Sequence, residues 1–167
     1  TALRNNVWVD DLSLWTDAVR KSPNKSRPHT NLGFSLMSRG RVDLAIDCYH
    51  AALRADPNNA EAHNNLGVAY SKTGKVDQAI SHLRIAIALQ PDHAKAHTNL
   101  GAALITRGEV DPAIEHYLSA LKINPNYASA RNNLGVAYFK KGMVDEAIDQ
   151  LRIAISLRPD YPEAHNN

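Results

Sequence analysis

Apolar and small residues recur along this chain in stripes of helical spacing, separated by short polar gaps. In residues 60–93 a first stripe comprises Ala62, Leu66, Ala69 and Tyr70, and a second comprises Ala79, Ile80, Leu83, Ala86, Ile87 and Leu89. Positions three or four apart share one side of an α-helix, so each stripe predicts an amphipathic helix buried along that side. Gly74 lies between the stripes and stops the first helix by accepting a left-handed conformation. Asp77 is expected to cap the second helix, Pro91 to end it, and Asp92 to cap the helix that follows. In the next copy Asp111 precedes Pro112, a residue tolerated at the first helical position. The unit is a helical hairpin.

The hairpin repeats every 34 residues, and the helix breakers keep the period. All eight glycines fall on two phases, Gly33, Gly67, Gly101, Gly135 and Gly40, Gly74, Gly108, Gly142. Pro23, Pro57, Pro91, Pro125 and Pro159 share a third phase. A fixed period of this length means an array whose units stack on their neighbours, which argues against a doubly wound sheet, a barrel or an independent second domain. The expected organisation is a half-repeat over 1–25, four units at 26–59, 60–93, 94–127 and 128–161, and the start of a fifth at 162–167. Both ends read as cuts in a longer array, with Leu14, Trp15, Ala18 and Val19 marking the lone helix of the half-repeat. The copies also alternate. Residues 60–93 and 128–161 share NNLGVAY and LRIAI, whereas 26–59 and 94–127 share HTNLG and a tyrosine at Tyr49 and Tyr117. The glycine inside each first helix costs about 1 kcal/mol relative to alanine, so its recurrence predicts a close helix contact there.

The stretch His63-x2-Leu66-Gly67-x2-Tyr70, followed in phase by Ala79, Ala86 and Pro91, resembles the tetratricopeptide repeat. The resemblance covers residues 26–161 in four copies. It departs from the family at the first aromatic position, which holds His29, His63, His97 and Arg131. The resemblance implies an all-α solenoid of antiparallel helix hairpins in a right-handed superhelix, with the first helices lining a concave groove. It implies a protein–protein interaction scaffold that takes a protein or peptide ligand in that groove and catalyses nothing. The N-terminal segment, with Trp8, the Leu14–Trp15 pair and an SPN turn, also resembles the junction in some multi-spanning membrane glycosyltransferases. That likeness implies an accessory region of a larger enzyme; the two tryptophans are equally explained as hydrophobic seals on an array end.

Composition excludes more than it proposes. With 44% apolar and 22% charged residues the chain has enough apolar content for a core. No run approaches the ~20 apolar residues of a membrane helix, so no direct membrane contact is expected. The net charge of +2 is spread almost evenly over the units, leaving no basic stripe for nucleic acid. Cys48 is the single cysteine and sits in an apolar helical pattern, where a small core residue is expected rather than a nucleophile. No catalytic constellation, phosphate loop or cofactor motif is present, and no metal site is expected. The histidines at 29, 63, 97 and 165 are expected to pack at helix interfaces with one nitrogen bonded, while the i,i+4 pair His93 and His97 lacks a third ligand.

Candidate binding residues lie opposite the apolar stripe of each first helix. An asparagine ladder at Asn31, Asn65, Asn99 and Asn133, with Asn167 in phase, stands out. A primary amide donates and accepts, so a ladder of them can hold an extended peptide by its backbone. Similar ladders line the groove of the O-linked N-acetylglucosamine transferase array. The alternative role is bonding to neighbouring helices. Beside the ladder the expected groove includes Thr30, Asn64, Thr98 and Asn132, an apolar strip with Phe34, Val68 and Val136, and the cations Lys72, Lys95 and Lys140. The carboxylate clamp of some family members needs cations and amides at Thr30, Phe34 and Asn99, and is not expected here. Exposed apolar faces at the array ends predict end-to-end self-association.

Overall fold

Each first helix ends in a way that starts the next. In a computed structural model, which describes residues 11–158, Gly108 has φ +88°, and Gly40, Gly74 and Gly142 share its left-handed conformation. The residue after each of these glycines then bonds back across the turn. Lys75 N–H donates to the Tyr70 carbonyl at 2.9 Å and Met143 N–H to that of Tyr138 at 3.0 Å, the wide turn of a Schellman end. The same residue's carbonyl accepts the first bond of the second helix, from Ala79 N–H to Lys75 and from Ala147 N–H to Met143. One short turn therefore closes one helix and opens its partner.

The order is α1 (Asp11–Lys21), α2 (Ser26–Ser38), α3 (Val42–Ala55), α4 (Ala60–Lys72), α5 (Val76–Leu89), α6 (Ala94–Arg107), α7 (Val110–Ile123), α8 (Ala128–Lys140) and α9 (Val144–Leu157). The described residues are all-helical with no strand. They form a tetratricopeptide-type solenoid of helix hairpins: α2 with α3, α4 with α5, α6 with α7 and α8 with α9. The chain divides into two compact units between Leu89 and Gln90. In the first, α1 packs on α2 and α3 on α4; in the second, α7 packs on α8. Pro159, His165, Asn167, Trp8 and the start of the fifth copy lie outside the described residues.

The core of each hairpin is small side chains packed against a few large ones. Ala62, Leu66 and Ala69 of α4 are fully buried with Ala79, Leu83 and Ala86 of α5. The helix-interior glycines make this contact possible. A Cβ on Gly67 would lie 2.6 Å from Leu83 Cγ and 3.1 Å from the Ala79 carbonyl oxygen; one on Gly101 would lie 2.5 Å from the Tyr117 ring. The facing residue alternates Tyr49, Leu83, Tyr117, Leu151, so the 68-residue alternation is a packing alternation.

Two capping expectations are corrected. The second helices begin two residues earlier than the aspartates predict, with Arg41, Glu109 and Met143 as N-caps and no side-chain cap bond. Asp77 and Asp111 stand in the first turn instead, where a carboxylate faces the positive end of the helix dipole. The Schellman turn has already fixed the cap residue, so a capping side chain has nothing left to decide. Asp92 likewise is not the cap of α6; His93 is, its Nδ1 accepting from Ala96 N–H at 3.4 Å.

Candidate functional site: the open face of the first helices

In the first unit α2 and α4 lie side by side, each backed by its own second helix. The strip left open runs through Asn31, Phe34, Asn65, Val68 and Lys72. A cleft of about 240 Å³ opens here, lined by Phe34, Met37, Ser38, Tyr49, Asn65, Val68 and Lys72. Phe34 is 65% exposed, Asn65 and Val68 are half-buried, and Lys72 stands in solvent. The cleft is thus an apolar slot with an amide on its wall and a cation at its rim. In the second unit, α6 and α8 present Asn99, Asn133, Val136 and Lys140 in the corresponding phases, and Lys95 in the phase of Arg27 and Glu61; the lysines are exposed and the other three half-buried.

Four expected groove residues are not on this strip. Thr30, Asn64, Thr98 and Asn132 are buried, at 2%, 5%, 4% and 5% exposure. Each precedes a ladder asparagine, and one residue is a 100° step around the helix. A first helix packed on its hairpin partner and on a neighbouring repeat keeps a narrower open strip than a sequence stripe suggests. The step from ladder to predecessor crosses its edge. Their polar atoms are bonded: Thr30 Oγ1 donates to the Ser26 carbonyl at 3.2 Å and Thr98 Oγ1 to that of Ala94 at 2.9 Å. Asn64 Nδ2 donates to Asn65 Oδ1 at 3.1 Å, and Asn132 Nδ2 to Asn133 Oδ1 at 3.3 Å.

Sequence reasoning missed two contributions. Tyr49 reaches the cleft from the second helix α3, past Gly33, whose missing Cβ makes the room. The other is the partner of the histidine that replaces the family aromatic. His63 Nε2 lies 3.1 Å from the Pro57 carbonyl and His63 Nδ1 lies 3.0 Å from His82 Nδ1. A carbonyl only accepts, so His63 carries its proton on Nε2 and its bare Nδ1 accepts from His82 Nδ1–H. His97 repeats this with Pro91 and His116, at 3.1 Å each. The 19-residue spacing of the two pairs was the available signal.

In the first unit this seam extends further. The His82 ring stacks on those of His63 and Tyr70, and Tyr70 OH meets His50 Nε2 at 3.0 Å. Lys75 Nζ stands 5.6 Å from the Tyr70 ring centroid. Burial, followed by repulsion from His63 and His50, lowers His82 from the usual 6.5 to about 4. Burial also lowers His63, partly opposed by its bond to Pro57. Cys48 occupies the corresponding seam position of α3 and is half-buried rather than fully in the core; burial, then Asp47, raises its thiol. Among the described residues no three His, Cys, Asp or Glu side chains converge as a metal ligand set. No described helix is long and apolar enough to cross a membrane.

Stacked helix hairpins with an open face on their first helices have the architecture of a protein-interaction scaffold. A family model described as "TPR repeat" matches residues 35–74, 103–142 and 137–167, and one described as "Tetratricopeptide repeat" matches residues 60–93. The chain belongs to the tetratricopeptide-repeat family. Comparison with curated proteins gives no match. Among solved structures, the chain is similar to MamA, at 30% identity over 89% of this chain and 86% of that one, with a TM-score of 0.76. It is similar to the first repeat region of Spaghetti (RPAP3) bound to the HSP90 peptide SRMEEVD, at 30% identity over 71% of this chain and 94% of that one, TM-score 0.68. A thermophilic tetratricopeptide-repeat protein of Thermus thermophilus shares the fold at 23% identity, covering 93% of this chain and 85% of that one, TM-score 0.79.

Proposed function

We propose that the chain holds an extended peptide or protein segment along the open face of its first helices, without chemistry of its own. Asn31, Asn65, Asn99 and Asn133 would bond the ligand backbone, Phe34, Val68 and Val136 would take apolar side chains, and Lys72, Lys95 and Lys140 would favour acidic flanks. The observation that carries this reading is the cleft of about 240 Å³ between α2 and α4, where the Asn65 amide and the Phe34 ring face one space. The peptide-bound state of the RPAP3 repeat region supports it by likeness. Recognition here rests on main-chain bonding, because Thr30 is buried and Phe34 is apolar where a carboxylate clamp would need polar groups.

The test is a peptide-display selection with the purified chain, followed by the triple variant Asn65→Ala, Asn99→Ala, Asn133→Ala. Three lost hydrogen bonds of about 1 kcal/mol each would weaken a selected peptide by about a hundredfold. Circular dichroism should stay unchanged. A fall in melting temperature with binding intact would assign the amides to helix packing instead.

Self-association is a second reading, favoured by α9. Ile148 is 41% exposed whereas Ile114, at the same position of α7, is 9% exposed; Val144, one turn before it, adds to the open apolar face. Light scattering should then give a mass that rises with concentration and an Ile148→Lys variant that stays monomeric. A concentration-independent monomer mass for the unaltered chain would remove this reading.

A further inference from the structure

The two compact units carry the same open strip in two versions. Shifting the cleft residues of the first unit by 68 positions gives their counterparts in the second. Tyr49 becomes Tyr117, Asn65 becomes Asn133, Val68 becomes Val136 and Lys72 becomes Lys140, each pair with the same burial. The floors match closely. A Cβ on Gly33 would lie 2.5 Å from Tyr49 Cε1, and one on Gly101 would lie 2.5 Å from Tyr117 Cε1. The large change is on one wall, where Phe34 becomes Ala102. The Phe34 ring is 65% exposed and stands beside the cleft as apolar surface; Ala102 is exposed too and leaves that place open. The charge pattern is shared. Among the described residues Lys72 is the one charged group lining the cleft, no carboxylate lines it, and Lys140 holds the same place in the second unit. Neither lysine has an ion pair among the described residues.

We propose that Phe34 and its counterpart Ala102 set which apolar side chain each unit accepts from an extended acidic peptide. In the first unit the Phe34 ring and Val68 bound a narrow slot that grips a slim aliphatic side chain such as leucine, while a ring of the ligand would overfill it. In the second unit the strip lacks the wall ring. A leucine there leaves part of its surface without contacts, whereas an aromatic side chain of the ligand fills the place of the missing ring against Val136. A carboxylate beside the apolar residue meets Lys72 or Lys140, one helical turn beyond the valine. The ligand class is a peptide with apolar–acidic pairs, aliphatic for one unit and aromatic for the other. This inference rests on the groove-binding reading above, and deepens it by naming the side chains that each unit would select.

The probes are two blocked peptides, acetyl-Gly-Gly-Leu-Glu-Gly-Gly-amide and the same sequence with Phe for Leu. Each is titrated into the methyl-labelled chain while the Val68 and Val136 methyl signals, which report on separate units, are followed by NMR. Val68 should reach half-saturation at about fivefold lower concentration with the leucine peptide, the effect of roughly 40 Å² of apolar contact. Val136 should show the opposite preference. Phe34→Ala should give Val68 the preference of Val136, and Ala102→Phe should do the reverse. Both positions are exposed and each new residue is the natural one in the other unit, so circular dichroism should not change. Gln in place of the peptide Glu should weaken the response at both valines by about threefold. Equal half-saturation for the two peptides at both valines, or preferences that ignore both substitutions, would overturn the selectivity; equal binding of the Glu and Gln peptides would overturn the acidic part. The two readings fail separately. Equal preferences with shifts that disappear in the triple asparagine variant defeat the selectivity alone; no shift at either valine with either peptide defeats groove binding as well.

Discussion

The α4–α5 and α8–α9 hairpins are near copies that solve one contact differently. Both carry NNLGVAY and LRIAI, both pack a leucine over a helix-interior glycine, and both pair two adjacent asparagines. At the seam, α4 uses His63 against His82, whereas α8 uses Arg131, whose Nη1 donates to Gln150 Oε1 at 2.8 Å. What the two share is the bond to the turn before them. His63 Nε2 reaches the Pro57 carbonyl at 3.1 Å; Arg131 reaches that of Pro125 through Nη2 at 3.1 Å and Nε at 3.3 Å. The position thus asks for a donor of the right reach, not for an aromatic ring. Tryptophan, the family's usual residue there, also carries an N–H donor. The second requirement, a partner 19 residues on, accepts whatever matches: histidine for histidine, glutamine for arginine.

The shared part is the easiest to break. Leucine at Gly67 or Gly135 would drive a side chain into Leu83 or Leu151, and even a Cβ would lie 3.1 Å from the carbonyl oxygen of Ala79 or Ala147. Overpacking of this kind costs about 3 kcal/mol or more, which lowers Tm by roughly 10 °C for a chain of this size. Both variants should fall by similar amounts in thermal melts followed by circular dichroism. A large loss at one glycine and none at the other would mean that the two hairpins are not packing copies.

The contrast between shared and variable parts also explains what the sequence made legible. Glycine, alanine and proline positions read directly as turns and close contacts because backbone geometry admits few alternatives there. The buried state of Asn64 and Asn132 did not read from the sequence. A polar residue one step from the open strip looks exposed until the neighbouring helix is placed. The pairing of His63 with His82 was hidden for a related reason, since it joins two helices whose relative register is set by Gly67 and Leu83 rather than by either histidine. The ladder asparagines were legible as a pattern, but the bonds from Asn64 to Asn65 and from Asn132 to Asn133 were not, because periodicity does not encode contacts between adjacent side chains.

The variable part breaks less severely. Arg131→Leu removes both donors to the Pro125 carbonyl and the bond to Gln150. Pro125 is exposed and its oxygen regains water, so the loss is about 1 kcal/mol and Tm drops by about 2–4 °C. Arg131→His keeps the reach to the proline carbonyl, as His63 does, and should fall by less than the leucine variant. Equal losses for the two variants would show that the proline bond is not what the position supplies.

The smallest effect separates the seams by their protons. Burial and neighbouring histidines depress His82 to about 4 and lower His63, and a second proton at His63 Nδ1 would face the His82 donor. The unfolded chain binds these protons near the usual 6.5 and therefore more readily than the folded one. Stability from this seam is complete above that value and is lost as pH falls from 6.5 toward 4. One proton changes stability by at most about 1.4 kcal/mol per pH unit, and the partly exposed seam will show less, so Tm should drop by no more than about 5 °C per unit. The His50 ring, the Tyr70 hydroxyl and the Lys75 ammonium border the same cluster, and His50 adds to the repulsion that opposes a proton on His82. Transplanting the other seam, as His63→Arg with His82→Gln, should flatten the melting profile between pH 7 and 4.5 relative to the unaltered chain, because an arginine–glutamine pair does not titrate there. An identical pH profile in the double variant would place the acid sensitivity elsewhere and reduce the histidine seam to a packing alternative of the arginine one.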